Sequence, residues 1–458
     1  MPSRLLALAL TMLLPSLGTS IANVALPSLE TAFSASFSDV QWVVLSYLLA
    51  VTTLIVGAGR LGDLIGRRPL LLGGIGLFAL ASAVAALAPA LWVLVTARAV
   101  QGIGAAIMMA LSLAQVSEVV PKERTGSAMG LLGTVSAVGT ALGPSIGGAL
   151  VAWGGWSAVF GIMAVIGVIT FLVGAVLFPS PSRTETRGST FDLRGMIVLA
   201  LSLGAYALST TLGGGHMGPL NAILAGLAVI GLIAFVLIEK RTASPLVRIA
   251  LLRESSLGVG LVSLGLVSAI VMTTLVVGPF YLSEALGLAP VQIGLVMSIG
   301  PGVAALVGLP AGRYVDAFGA RGGAVIGLIG ATMGAASMIV LPGHFGVGGY
   351  AASLATITVG YAVFQAANGA TIMSAADRGD KGVTSALLGL ARNVGLITGA
   401  SLMGAIFSIG KQGLPGLGLP AGSASGLRLC FAVAFLLAAA SLALTIKFGR
   451  DRAADERR

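Results

Sequence analysis

Nearly the whole chain consists of apolar stretches of roughly twenty residues, which are joined by short polar turns. Two of these stretches, VVLSYLLAVTTLIVG and LLLGGIGLFALASAVAALA, lie on either side of the turn GRLGDLIGRRP. An α-helix needs about 20 apolar residues to cross a bilayer. With only 9% charged residues, the chain also lacks the polar surface of a water-soluble protein. The pattern predicts an all-α polytopic membrane protein.

The apolar stretches number about fourteen, and their ends are defined to within about 2–4 residues. The first stretch is too long for a secretory signal peptide and leads directly into the second, so we expect the protein to retain it. The predicted spans are 5–27, 40–61, 69–88, 91–117, 125–152, 155–178, 193–212, 219–239, 256–284, 290–312, 323–341, 349–374, 383–408 and 428–447.

The positions of the basic residues predict how the chain is oriented. With the N-terminus in the cytoplasm, the outer turns hold only Lys411 and Arg428. All other turns that carry Lys or Arg then lie inside, as the positive-inside rule requires. The charges therefore predict that both termini are cytoplasmic. We expect the membrane to be the inner membrane of a bacterium. The net charge of +10 reflects this orientation and does not indicate a nucleic-acid partner.

The turn GRLGDLIGRRP (residues 59–69) has a second copy, GRYVDAFGARG (residues 312–322). An internal repeat of this kind is typical of transporters built from two bundles related by pseudo-symmetry. The shared positions are Gly59 and Gly312, Arg60 and Arg313, Asp63 and Asp316, Gly66 and Gly319, and Arg68 and Arg321.

The same turn resembles the loop signature of the major facilitator superfamily. RAVQGIGAA (98–106) resembles the fourth-helix motif of that superfamily, and GTALGPSIGG (139–148) resembles its antiporter-associated fifth-helix motif. IANVALP (21–27) and QWVVLSYLLA (41–50) resemble the first two helices of its fourteen-span drug-exporter branch. The resemblance implies two six-helix bundles and transport by alternating access.

The branch also carries two extra spans between the bundles, here 193–212 and 219–239. The resemblance therefore implies four parts. They are an N-terminal bundle at 1–178, a linker with two transmembrane helices at 179–254, a C-terminal bundle at 255–448 and a cytoplasmic tail at 449–458.

The two copies of the turn are candidates for a conformational latch, and we call residues 59–69 and 312–322 the latch loops. Glycine lets helix ends approach closely. Asp63 can pair with Arg67 or Arg68, or face the positive end of a helix. The resemblance implies that the latch loops close the cytoplasmic side while the outer side is open. Alternatively, their charges only set the orientation.

A pivot is predicted in the fifth span, where four glycines leave a helix face without side chains and a proline bends the helix. The alternative is an ordinary small-residue packing face. The predicted pivot residues are Gly139, Gly143, Pro144, Gly147 and Gly148.

Charged side chains inside the membrane are costly and therefore indicate function. Arg98 and Arg392 are the two basic residues that fall well within predicted spans. They head the candidates for binding the solute or a coupling ion. Alternatively, each arginine only binds carbonyl groups between helices. The other candidates are Asn23, Trp42, Tyr47, Gln101, Gln365, Asn368 and Asn393.

Gly18 stands where drug exporters of this branch usually carry an aspartate, in the stretch LGTSIANVALP. A buried carboxylate is the natural partner of a cationic drug and of an exchanging proton. Its absence, together with two arginines, favours a neutral, acceptor-rich or weakly acidic aromatic solute. Riboflavin, which some members of the superfamily take up, is the leading example. Multidrug export by proton exchange is the alternative.

An enzyme is not expected, because the histidines, His216 and His344, lie in predicted outer loops without a Cys or acidic cluster. GIGLFA and GIGAAI lie within apolar helices and follow no strand, so they do not bind nucleotides. We expect no metal and no cofactor. The expected partners are a small solute, the lipid bilayer and a coupling ion such as the proton, and the protein is expected to be a monomer.

Overall fold

The computed structural model describes residues 2–119, 125–178, 192–212, 218–242, 255–375 and 381–455. These residues are almost entirely helical, and a helix satisfies its own backbone hydrogen bonds where lipid offers no partners. The α-helices are α1 (Pro2–Ser20), α2 (Leu26–Phe33), α3 (Phe37–Val40), α4 (Trp42–Ile65), α5 (Arg67–Ala86), α6 (Leu91–Val119), α7 (Thr125–Leu177), α8 (Leu193–Thr211), α9 (Pro219–Glu239), α10 (Ser255–Phe280), α11 (Pro290–Met297), α12 (Ile299–Phe318), α13 (Ala320–Ala375), α14 (Lys381–Gln412) and α15 (Ser423–Asp455).

Three short elements modify this pattern. A 3₁₀ turn, Ile21–Ala25, joins α1 to α2, so the first apolar helix continues to Phe33, beyond the predicted end at 27. A π-helical turn, Tyr281–Ala285, extends α10. Another 3₁₀ turn, Pro415–Leu417, lies between α14 and α15.

The two longest helices, α7 and α13, each contain a break. Gly154 (φ −137°, ψ 19°) and Gly155 (φ 70°, ψ −172°) interrupt α7, which has 53 residues. Gly346 (φ 53°, ψ −127°) interrupts α13, which has 56 residues. Glycine tolerates the positive φ of Gly155 and Gly346 because it has no Cβ. Each helix is long enough for two crossings, and the predicted neighbouring spans meet at these breaks.

In the described part of the chain, 12 helices are long and apolar enough to cross a membrane. Both α7 and α13 are among them and have room for a second crossing, which agrees with a protein of about fourteen spans.

The chain divides into two compact units. The first unit comprises Met1–Ser209, Ala222–Leu246 and Pro290–Gly294, and the second comprises Thr210–Asn221, Val247–Ala289 and Leu295–Arg458. In the first unit, α6 packs against α4 and α5, and α7 packs against α1 and α5. In the second unit, α10 packs against α14, and α13 packs against α12 and α15. The four-part domain division of the sequence stays a prediction.

Candidate functional site

Arg98, in α6, is the largest fully buried side chain of the described residues, with an exposed fraction of 0%. Its Nε donates a hydrogen bond to the carbonyl oxygen of Val43 in α4, at 2.8 Å. Its Nη2 donates to the carbonyl oxygen of Gly18 in α1, at 3.0 Å. Its Nη1 donates to Oε1 of Gln101, one turn further along α6. The guanidinium thus joins three helices of the first unit.

Aromatic rings complete the surroundings of the Arg98 guanidinium. Its Cζ lies 4.2 Å from the centroid of the Tyr47 ring and 5.9 Å from that of Phe160. The Tyr47 hydroxyl donates to the carbonyl oxygen of Pro15 at 2.7 Å, which fixes the ring in place. Ring faces stabilise a cation without neutralising its charge. The described partners of Arg98 are two carbonyl oxygens, one amide oxygen and two aromatic rings, and all of them are neutral.

Ser82 extends this arrangement into α5. Nε2 of Gln101 donates to Oγ of Ser82 at 2.6 Å, and Ser82 Oγ donates to the carbonyl oxygen of Phe78 at 2.7 Å. The sequence prediction missed Ser82, because one serine in an apolar run is too common a signal. We call Gly18, Tyr47, Ser82, Arg98 and Gln101 the arginine network.

Gly18 contributes its backbone to the arginine network. A Cβ at this position would lie 3.1 Å from Cε of Met163 and 3.2 Å from the hydroxyl oxygen of Tyr47. A backbone carbonyl thus accepts a bond from Arg98 at the residue where the drug-exporter pattern has an acid.

The other candidates of the first unit lie apart from these bonds. Asn23, in the 3₁₀ turn, is fully buried and donates from Nδ2 to the carbonyl oxygens of Thr19 and Ser20, each at 3.1 Å. Its Oδ1 has no hydrogen-bond partner in the part of the chain that the structure describes. Trp42 is half-buried at the start of α4.

In the second unit, Asn368 is buried and donates to the carbonyl oxygen of Gly260 in α10, at 3.1 Å. Gln365 is exposed, and Asn393 is half-buried. Arg392 is exposed on α14, so of the two arginines within predicted spans only Arg98 is buried, and the role of Arg392 in binding the solute stays a prediction. The face of α14 that carries Arg392 is not covered by packing, whereas Arg98 lies on a covered face of α6.

The two latch loops have the same backbone conformation. Most of each loop is helical, and the turn predicted over 59–69 consists of Gly66 alone, between α4 and α5. Gly66 has φ 103° and ψ 132°, and Gly319, between α12 and α13, has φ 85° and ψ 148°. Both amides donate four residues back, to Gly62 and Val315, at 2.9 Å. The repeat thus preserves a glycine at a positive φ, where a residue with a Cβ would be strained.

Arginines of the first latch loop bind backbone oxygens of neighbouring helices. Arg67 donates to the carbonyl oxygen of Ala114 in α6 at 3.1 Å, and Arg68 donates to that of Ala175 in α7 at 2.8 Å. Ala175 lies in the last turn of α7, where the helix dipole favours a cation. In the second loop, Arg313 and Arg321 are exposed.

Some predictions for the latch loops are not tested by the structure, and others differ from it. The structure does not describe the side chains of Arg60, Asp63 and Asp316. The pairing predicted for Asp63 therefore stays a prediction. At Gly59 and Gly312 a Cβ would meet no atom of the described residues within 4 Å. Close packing therefore does not explain these two glycines within the structure. It does explain Gly62, which the prediction missed and which packs against Leu111 of α6.

The predicted pivot residues lie at two close helix contacts. A Cβ at Gly139 or Gly147 would lie 2.9 Å or 2.8 Å from backbone oxygens of the first span, and at Gly143 it would overlap Oγ of Ser20. Gly148 faces the segment Pro290–Gly294, where a Cβ would lie 2.5 Å from the carbonyl oxygen of Pro290.

Pro144 lies inside α7, between these glycines, and its carbonyl oxygen faces Gly294. The second unit has a comparable contact that the prediction missed: a Cβ at Gly395 or Gly399 of α14 would overlap carbonyl oxygens of α10.

Comparison with known proteins decides the family. The family described as Major Facilitator Superfamily matches residues 8–400. The chain belongs to the major facilitator superfamily. It is 29% identical to the multidrug resistance protein Stp of Mycobacterium tuberculosis over 407 residues, which cover 88% of this chain and 75% of Stp. It is 27% identical to the riboflavin transporter RibZ of Clostridioides difficile over 405 residues, which cover 88% of each chain.

A solved structure agrees with this fold. A bacterial homologue of the human lysosomal transporter Spinster superposes with a TM-score of 0.72 at 17% identity, over 98% of each chain. As a major facilitator protein, the chain is a multi-pass membrane transporter of a small molecule and not an enzyme. No group of three or more metal-ligating side chains is found among the described residues.

Proposed function

We propose that this secondary transporter moves a small neutral or weakly acidic aromatic solute across the cytoplasmic membrane of a bacterium, with riboflavin-type uptake as the leading candidate. The observation that carries the proposal is the set of neutral partners around Arg98. The charge of Arg98 is buried among neutral partners, whereas drug exporters of this branch usually carry a carboxylate nearby, at the position of Gly18.

Electrostatics gives the size of the effect. A monovalent cation about 8 Å from the Arg98 guanidinium would be repelled by about 2 kcal/mol at an effective dielectric constant of about 20. This free energy corresponds to roughly 30-fold weaker binding. A neutral solute is not repelled, and a weakly acidic one is attracted.

The names of two relatives support different solutes. RibZ is named a riboflavin transporter, and a flavin ring is flat and rich in hydrogen-bond acceptors. Stp is named a multidrug resistance protein, which favours multidrug efflux by proton antiport as the second candidate. The missing acid at Gly18 ranks the flavin-like solute first.

The latch loops and the pivot are proposed to serve the conformational change. The matched turns at Gly66 and Gly319 support a change of conformation at both latch loops. Arg67 and Arg68 bind α6 and α7, and these bonds would have to break when the first latch loop opens. We propose that these loops close the cytoplasmic side and that both termini are cytoplasmic. We also propose that the protein acts as a monomer and that a coupling ion, the proton or another ion, drives transport.

The test compares two solutes in the same cells. Cells without their own riboflavin uptake express the protein, and accumulation of labelled riboflavin and efflux of ethidium are both measured. We expect expression to raise riboflavin accumulation and to leave ethidium efflux at the level of the empty vector. Strong ethidium efflux without riboflavin transport would overturn the proposal and support the multidrug alternative.

A further inference from the structure

The arginine network contains a serine whose hydrogen-bonding capacity is fully determined. Ser82 is fully buried, and its single hydroxyl proton is used in the bond to the carbonyl oxygen of Phe78, at 2.7 Å. A hydroxyl has one donor and two acceptor lone pairs. Only lone pairs remain on the side that faces Gln101. While the bond to Phe78 is made, the group of Gln101 that approaches Ser82 is therefore a donor.

This requirement fixes the orientation of the Gln101 amide. Its Nε2 donates to Ser82 Oγ at 2.6 Å, so its Oε1 faces Arg98 and accepts from Nη1. In the flipped orientation, the amide nitrogen would face the guanidinium, and two donors would meet. Arg98 would lose an acceptor inside a buried site, where an unsatisfied charged donor is especially unfavourable.

We propose that Ser82 is a positioning residue, which fixes the amide orientation of Gln101 and thereby holds the Arg98 guanidinium against its three acceptors. In this position the charge discriminates against cationic solutes. The discrimination rests on the function proposed above, whereas the orientation of the amide does not. Ser82 contacts no solute in this proposal and acts through Gln101 alone.

A first measurement needs no solute. The midpoint of thermal unfolding is compared for detergent-purified wild type, Ser82→Ala, Gln101→Glu and the double variant. The matched control is Ser401→Ala, because Ser401 is also fully buried and its hydroxyl donates only to a carbonyl oxygen of its own helix, that of Ile397 at 2.8 Å.

We expect Ser82→Ala to lower the midpoint more than Ser401→Ala does. In the Gln101→Glu background, we expect the effect of Ser82→Ala to shrink to that of the control. A carboxylate presents an oxygen to Arg98 in either orientation, so it needs no positioning. If Ser82→Ala lowers the midpoint equally or more with Glu at position 101, Ser82 is only a packing or bonding residue and the proposal is overturned.

A second measurement reads the charge discrimination. Transport of riboflavin and ethidium is measured for the same variants at equal amounts of membrane-inserted protein. Ser82→Ala should lower riboflavin transport about fivefold, the equivalent of one hydrogen bond, and Ser401→Ala should leave it unchanged. Gln101→Glu should raise ethidium transport, because its carboxylate offsets the charge of Arg98.

The two measurements separate the proposals. If the unfolding pattern is as expected but the wild type does not transport riboflavin, the proposed solute is wrong and the positioning role of Ser82 holds. If riboflavin is transported but the unfolding pattern is additive, the solute class holds and the positioning role is overturned.

Discussion

Gly18→Asp restores the acid of the drug-exporter pattern, and the structure gives the size of its effect. The new Cβ would lie 3.1 Å from Cε of Met163 and 3.2 Å from the hydroxyl oxygen of Tyr47. Neighbours must shift by a few tenths of an ångström, which the flexible end of Met163 allows. The new Cβ would lie beside Tyr47, whose ring centroid is 4.2 Å from Cζ of Arg98, so the carboxylate would come close to the guanidinium.

The carboxylate would neutralise the charge of Arg98. At about 5 Å and an effective dielectric constant of about 20, the pair attracts by about 3 kcal/mol. The repulsion of about 2 kcal/mol on a cation 8 Å away then disappears, which is worth roughly 30-fold in cation binding. We therefore expect Gly18→Asp to increase ethidium transport and to reduce riboflavin transport.

The assay measures initial rates of both solutes in cells with equal amounts of membrane-inserted protein. Gly18→Asn is the matched control, because it has nearly the same size and no charge. If the two variants behave alike, size and not charge determines the outcome. Improved riboflavin transport by Gly18→Asp would refute the electrostatic reasoning.

Three further predictions concern the remaining elements. Asp63→Asn should reduce transport far more than it reduces the amount of folded protein, measured as rate per inserted molecule; a wild-type rate would exclude the latch. Arg98→Ala should abolish transport while the protein still inserts, and Arg98→Lys should restore little, because an ammonium group cannot reach three acceptors as a planar fork does. Full activity of the lysine variant would contradict this, and failure of the alanine variant to insert would indicate a structural role. Gly143→Ala should destabilise the protein by about 1–3 kcal/mol in thermal unfolding, because its Cβ would overlap Ser20. Gly161→Ala in the same helix should not, because a Cβ there would meet no described atom within 4 Å. Equal effects of the two substitutions would exclude packing as the reason.

The sequence by itself determined the class of the fold. Hydropathy is a local property, and the bilayer imposes one helix length, so the spans could be predicted without any tertiary contact. The predicted boundary at 152–155 even meets the break at Gly154 and Gly155. The repeated motif also identified two matched turns, because its glycines lie at fixed spacing.

The content of the site was decided only by tertiary structure. Arg98 is recognisable in the sequence as a charge in an apolar span, but its carbonyl partners lie 55 and 80 residues away. Backbone acceptors leave no mark in a sequence, so Gly18 could be identified as a missing acid and not as a bonding partner. Helix packing likewise decided that Arg392 is exposed. The orientation of Gln101 depends on one proton of Ser82, and that follows only when α5 and α6 are packed together.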